Sequence, residues 1–192
     1  MRARGTATWT PTLPRTTAAD WAPYGVTANA IAPGFIDIQV NGGGGVLLND
    51  QPTEAGVRRI VEAHRKEGTT GCLPTLITDR SEVIERLAAV AQACLEIPGV
   101  LGFHLEGPAL NRSRKGIHPE AEIRVPDRRD LAAIKSFGGR GRSIVTLAPE
   151  CVPASMIDEL IGAGLRIAAG HSDAGEQPAV DLVHRIRDRY IP

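Results

Sequence analysis

FHLEGPALNRSRKGIHP, residues Phe103 to Pro119, begins apolar, stops at a single carboxylate, turns at Gly107-Pro108 and runs into Arg112, Arg114, Lys115 and His118. Glu106 therefore sits where a buried strand would end. A carboxylate in an apolar setting is costly unless it meets a cation, a proton or hydrogen-bond donors. Whatever fold this chain adopts must bring such groups to Glu106 from elsewhere.

Working outward, the same design recurs. APGFIDIQVNG (32–42), TTGCLPTLIT (69–78), VLGFHLE (100–106), RSIVTLAPE (142–150) and LRIAAGHS (165–172) are mostly apolar runs of strand length. Between them lie helical patterns. PTEAGVRRIVEAHRKEG spaces Val57, Ile60, Val61 and His64 on one face and meets Gly68 where a helix would stop. DRSEVIERLAAVAQACLEI puts Val83, Leu87, Val90 and Cys94 on one face, with Asp79 or Ser81 as the expected N-cap. DRRDLAAIKSF, PASMIDELIGAG (Pro153 near its first turn, Gly162 or Gly164 at its stop) and EQPAVDLVHRIRDRY complete the series. Continuous apolar strands alternating with helices predict an α/β fold of right-handed parallel units. About five βα units fit either an open doubly wound sheet or part of a closed (β/α)8 barrel.

Composition narrows the function classes. The 192 residues carry 22 basic and 22 acidic side chains, so no global attraction to nucleic acid or anionic lipid follows. No apolar run approaches the ~20 residues of a membrane span, and no signal peptide is read at the N-terminus. Cys72, Cys94 and Cys151 are odd in number and far apart, which suits reduced thiols in a cytoplasmic protein. Residues 1–30, rich in Thr, Pro and Ala, are expected to be poorly ordered or foreign; 31–175 form the α/β body, and 176–192 a C-terminal helix or tail. The run Gly42 to Gly45 lacks the lysine and hydroxyl of a phosphate loop and the spacing of a dinucleotide loop, so a flexible loop over an active site is expected there.

In parallel barrels the chemistry lies at the C-terminal ends of strands. Those ends supply Gln39 and Asn41, Thr75 and Thr78, Glu106, Glu150 and His171. Glu106 and His171 offer an oxygen and a nitrogen to a divalent ion such as zinc, one ligand short of the usual catalytic set. Arg112, Arg114 and Lys115 could grip an anionic substrate group, but a solvated loop is the expected reading, whereas His118, held between Ile117 and Pro119, is a candidate to touch ligand.

Five segments, APGFIDIQVNGGGG, TTGCLPTLIT, GFHLEGPALNRSRKGIHP, VTLAPE and AAGHSDA, together resemble the N-acetylglucosamine-6-phosphate deacetylases of the amidohydrolase superfamily. The resemblance runs from about Ile31 to Ala174. It implies a partial (β/α)8 barrel, a divalent metal (zinc or iron), a possible homodimer, and hydrolysis of the substrate acetamide to glucosamine 6-phosphate and acetate. Carried onto this sequence, it makes Glu106 and His171 metal ligands and Ile117 and His118 a substrate-contacting pair. Gln39 and Asn41 stand where many amidohydrolases carry a His-x-His metal pair, and amides are poor zinc ligands, so a single-metal type is implied. His104 reads as structural, and His64 and His184, at helical spacing, are not expected to ligate.

The family's third ligand, in a Thr-His-Leu-(Phe/Tyr)-Asn motif, and its catalytic aspartate have no match in this sequence. The expectation is thus a truncated chain with no catalytic residue of its own and very weak or no deacetylase activity. A non-catalytic fragment that binds a sugar phosphate or a partner is the second reading. A third comes from WAPYGVTANAIAPGFID, which resembles a late segment of short-chain dehydrogenases; that family's glycine loop and Tyr-x-x-x-Lys pair do not occur, so NADH binding is expected to be absent.

Overall fold

The computed structural model describes residues 34–139 and 141–190, so segment 1–30 and most of the dehydrogenase-like stretch lie outside the described residues. Five strands, β1 (Phe35–Val40), β4 (Thr69–Ile77), β5 (His104–Glu106), β6 (Ile144–Leu147) and β7 (Arg166–Ala169), form one parallel sheet in that order. Helices α1 (Glu54–Lys66), α2 (Ser81–Cys94), α3 (Arg128–Lys135), α4 (Ala154–Gly162) and α5 (Glu176–Tyr190) alternate with them. The result is a partial (β/α)8 barrel, one of the two arrangements the alternation allows and the one the family resemblance implies.

The core follows from the patterning. Val57, Ile60, Leu87 and Cys94 of α1 and α2 meet Leu76, Leu105 and Val145 of the sheet, all buried. Each such aliphatic side chain contributes roughly 1.5–3 kcal/mol when fully buried. Phe103, just ahead of β5, packs edge-to-face on Phe137 after α3, with ring centres 5.4 Å apart. β1 and β7 have no further strand partner among the described residues, and Ile36 and Ile38 of β1 are 64% and 56% exposed. Burial pushes the Cys72 and Cys94 thiols up to about 11, so both behave as small core side chains. Among the described residues, no helix is long and apolar enough to cross a membrane.

Two local expectations fail for tertiary reasons. Neither Asp79 nor Ser81 caps α2; Arg80 is the N-cap residue and makes no side-chain cap bond. Asp79 instead accepts from the Arg80 N–H and from Asn49, while the Ser81 hydroxyl accepts from Arg124. The Gly42–Gly45 run is not a loop over the site. It is a hairpin, β2 (Gly42–Gly43) pairing antiparallel with β3 (Val46–Leu47). Its turn needs Gly44 and Gly45, at φ +59° and +77°, and it lies against α1, where a Cβ on Gly43 would strike the His64 ring. His64 Nε2 meets the Gly42 carbonyl at 2.8 Å, a structural role consistent with its helical spacing.

Candidate metal centre

Glu106 ends β5, between Ile77 of β4 and Thr146 of β6 in the ladder. Its backbone is fastened on both sides: the Thr78 hydroxyl donates to the Glu106 carbonyl (3.1 Å), and the Gly107 N–H donates to that of Thr146 (2.9 Å). The chain then turns through a cis Gly107-Pro108 bond with Gly107 at φ +90°. A Cβ on Gly107 would collide with the Thr78 hydroxyl. Gly107→Ala is therefore expected to cost about 2 kcal/mol or more, from left-handed strain plus the clash, and to displace Thr78. Urea denaturation checks this; wild-type stability in the variant would refute it.

Thr78 also sets the state of His118. That ring is buried, and its Nδ1 lies 3.3 Å from the Thr78 backbone nitrogen and 2.9 Å from the hydroxyl. A backbone N–H can only donate, so Nδ1 is the acceptor and the neutral ring carries its proton on Nε2; the single hydroxyl proton of Thr78 is then shared between Nδ1 and the Glu106 carbonyl. His118 thus presents an N–H, not a lone pair, to the Glu106 carboxylate, 3.6 Å from Oε2. That separation is an electrostatic contact, longer than a full hydrogen bond.

His171 has the opposite polarity. Its Nδ1 lies 2.8 Å from the Arg114 carbonyl, which can only accept, so Nδ1 carries a proton and, in the neutral ring, Nε2 holds the lone pair. That lone pair faces Glu106 Oε1 at 3.0 Å. Two acceptors at this distance repel unless a cation or a proton lies between them. The His171 backbone is left-handed, φ +50°, which costs about 1–2 kcal/mol for a residue with a Cβ. The two imidazoles meet edge-to-face with centres 4.6 Å apart, and the three side chains form one cluster of potential ligand atoms within 4.8 Å of one another.

The Glu106 carboxyl is held down at about 2 chiefly by the His118 N–H, against the opposing effect of burial. It is anionic at any ordinary pH. Its Oε2 also accepts from the Gln39 amide (3.1 Å), so donors neutralise Oε2 and leave Oε1 facing the His171 lone pair. This donor set fits a divalent ion at Oε1 and Nε2. Tetrahedral zinc with bonds near 2.0–2.2 Å spaces its ligand atoms roughly 3.4 Å apart, a few tenths of an ångström wider than the gap present.

Around this centre, His104 bolts the strands beneath Glu106. Its Nδ1–H donates to the Ile38 carbonyl (3.0 Å) and its Nε2 accepts from the Thr146 hydroxyl (2.7 Å), while burial lowers its pKa and keeps it neutral. Gln39 proves to be an orienting donor to Glu106, a partnership set by pairing across the sheet and not marked in the sequence. The Asn41 amide nitrogen is buried and has no protein partner. Ile117 is 86% exposed, and its side chain takes no part in the cluster.

The loop cations are occupied. Arg112 donates to the carbonyls of Glu120 and Ile123, Arg114 to Asp173, and Lys115 lies 4.0 Å from Glu120. His184 lies on α5 with an exposed side chain. A surface depression of about 840 Å³ over α1, lined by Glu54, Arg58, Arg59, Glu62 and Lys66, shares no residue with the cluster.

Comparison with known proteins sets this geometry among relatives. The N-acetylgalactosamine-6-phosphate deacetylase of Shewanella sp. is 41% identical over 178 residues, covering 89% of this chain and 45% of that protein. The human N-acetylglucosamine-6-phosphate deacetylase is 38% identical over 164 residues, covering 80% and 39%. The crystal structure of N-acetylglucosamine-6-phosphate deacetylase from Pasteurella multocida superposes with a TM-score of 0.73 at 32% identity, covering 79% of this chain and 40% of that one. The chain thus spans less than half the length of these relatives. The profile of the amidohydrolase family matches residues 30–184, which include every side chain of the cluster at Glu106, and the chain belongs to the amidohydrolase family.

Proposed function

We propose that the chain carries the metal-holding part of a deacetylase site for N-acetylhexosamine 6-phosphates. The observation that supports this most is the facing pair of acceptors, Glu106 Oε1 and His171 Nε2, beside a buried donor, His118 Nε2–H. Glu106 and His171 would hold a divalent ion, zinc or iron. Such an ion, when bound, acidifies a water and polarises an acyl oxygen. The chain's own residues do the rest: Gln39 and His118 keep Oε2 neutralised, Arg114 fixes the ring of His171, and Thr78 keeps the His118 proton on the nitrogen facing the cluster. That N–H can donate to the acetamide oxygen of a bound substrate. Relatives named for both the galacto and the gluco substrate leave the two as equal candidates.

No second carboxylate belongs to the cluster among the described residues, so no proton carrier for the departing amine is identified in it. Binding is therefore expected to exceed turnover, and calorimetry with zinc and either N-acetylhexosamine 6-phosphate is the primary test, with acetate release as the second. Zinc-dependent binding that vanishes in Glu106→Gln supports the reading; no binding of either sugar phosphate refutes it. His118→Ala, which withdraws one neutral hydrogen bond, is expected to weaken sugar binding about 2- to 10-fold with zinc binding retained. Saturable binding without any acetate would favour the non-catalytic alternative. The homodimer implied by the resemblance is checked by sedimentation.

A further inference from the structure

Glu150 stands at the end of β6, in a short 3-10 turn (Pro149–Cys151), and takes no part in the ligand cluster. Its carboxylate nonetheless gathers three donors. Oε1 accepts from the Asp173 backbone N–H (2.7 Å) and the Asn111 amide (3.0 Å), and Oε2 accepts from the Ser172 hydroxyl (2.7 Å). Two of these donors are on the residues directly after His171. The third, Asn111, also donates its backbone N–H to the His171 carbonyl (2.9 Å). His171 is the one residue other than glycine with positive φ among the described residues, so its conformation must be held by its surroundings.

We propose that Glu150 is the positioning residue for His171. Its carboxylate ties the turn after β7 to the loop after β5, keeps the His171 backbone left-handed, and so aims Nε2 at Glu106. The inference rests on the reading of Glu106 and His171 as a ligand pair. Glu150 itself touches neither ion nor substrate. Without it, the Asp173 N–H and the Asn111 amide lose their shared acceptor, and nothing else described spans Asn111, Ser172 and Asp173 together. The separate Arg114–Asp173 pair joins the same loop to the same turn through the Asp173 side chain, without engaging Asn111 or Ser172.

The test measures two things on the full chain: cobalt(II) affinity, and the metal-free NMR shifts of His171 Cα and Cβ, which report backbone conformation. In Glu150→Ala the shifts are expected to leave the left-handed pattern and cobalt affinity to fall ~10- to 100-fold, the range for groups that orient a ligand. Glu150→Gln keeps one carbonyl acceptor, and the Ser172 hydroxyl can turn to accept from the new amide, so this variant is expected to stay close to wild type. Ser172→Ala removes one donor, should move both readouts less in the same direction, and carries the test if Glu150→Ala does not fold. Glu159→Ala, which breaks an exposed pair with Lys135, is the control. Lower thermal stability in Glu150→Ala with unchanged shifts and affinity would overturn the proposal. Cobalt binding to neither wild type nor Glu106→Gln would overturn the ligand reading instead, and the His171 shifts would then decide the backbone lock alone.

Discussion

Glu106→Gln is expected to leave the fold intact and to abolish the thermal response to zinc. The new amide can be accommodated without metal: its oxygen takes the place of Oε2 toward Gln39 and His118, and its NH2 donates to the His171 lone pair now facing Oε1. Stability in chelator should therefore match wild type within about 1 kcal/mol. With zinc at ~100 times its dissociation constant, wild type gains about 2.7 kcal/mol, which for a domain of this size raises Tm by roughly 5–10 °C. The variant loses the anionic ligand and should show no rise. Differential scanning calorimetry with and without zinc reads both effects; an equal rise in the two proteins would remove Glu106 from the metal site. Acidification should weaken the wild-type response as well, because imidazole ligands must be neutral while Glu106, held at about 2, stays ionised.

The second large effect is structural. Arg124 ends the long loop after β5 and uses all its N–H groups: Nε and Nη2 on the Asp130 carboxylate (2.8 Å each), Nη1 on the carbonyls of Asp79 and Glu122, and Nη2 also on the Ser81 hydroxyl. Asp130 is fully buried. Asp130→Ala strips a partly buried guanidinium of its bidentate buried partner and leaves it only the looser Glu122 carboxylate, 3.6 Å from Nη1, a change expected to cost about 3 kcal/mol. That is a large share of the total stability of an ordinary domain. A urea midpoint showing a loss under about 1 kcal/mol would refute the claim. Replacing Arg124 and Asp130 together with apolar residues should recover part of the loss, because no charge is then stranded.

The same pair sets a pH dependence. Burial pushes the Asp130 carboxyl up, but the bonds from Arg124 and Ser81 outweigh it, so its folded pKa lies below the ordinary 3.8. A depressed carboxyl stabilises the fold fully above its unfolded value, and this contribution is lost as pH falls through the folded one. Stability of wild type should therefore decline below about pH 4 more steeply than that of Asp130→Asn.

The alternation of apolar strands and amphipathic helices was legible because burial demands it residue by residue: Val57, Ile60 and Leu87 report their own faces whatever they pack against. The polar strand ends were legible too, since Glu106 and His171 interrupt otherwise apolar segments. What the sequence alone determined was thus the kind of fold and two of the groups gathered at its rim.

Tertiary structure decided the rest, because the remaining partners lie far apart in the chain and meet only through sheet register and loop course. Gln39 and Glu106 are 67 residues apart, Thr78 and His118 are 40 apart, and no local pattern links either pair. Ser81 could not be foreseen as a partner of Arg124 instead of a helix cap, nor the four-glycine run as a hairpin lying on α1. The proton positions on the two histidines follow from a single backbone N–H and a single carbonyl, at Thr78 and Arg114, which become neighbours of those rings only once the chain has curled.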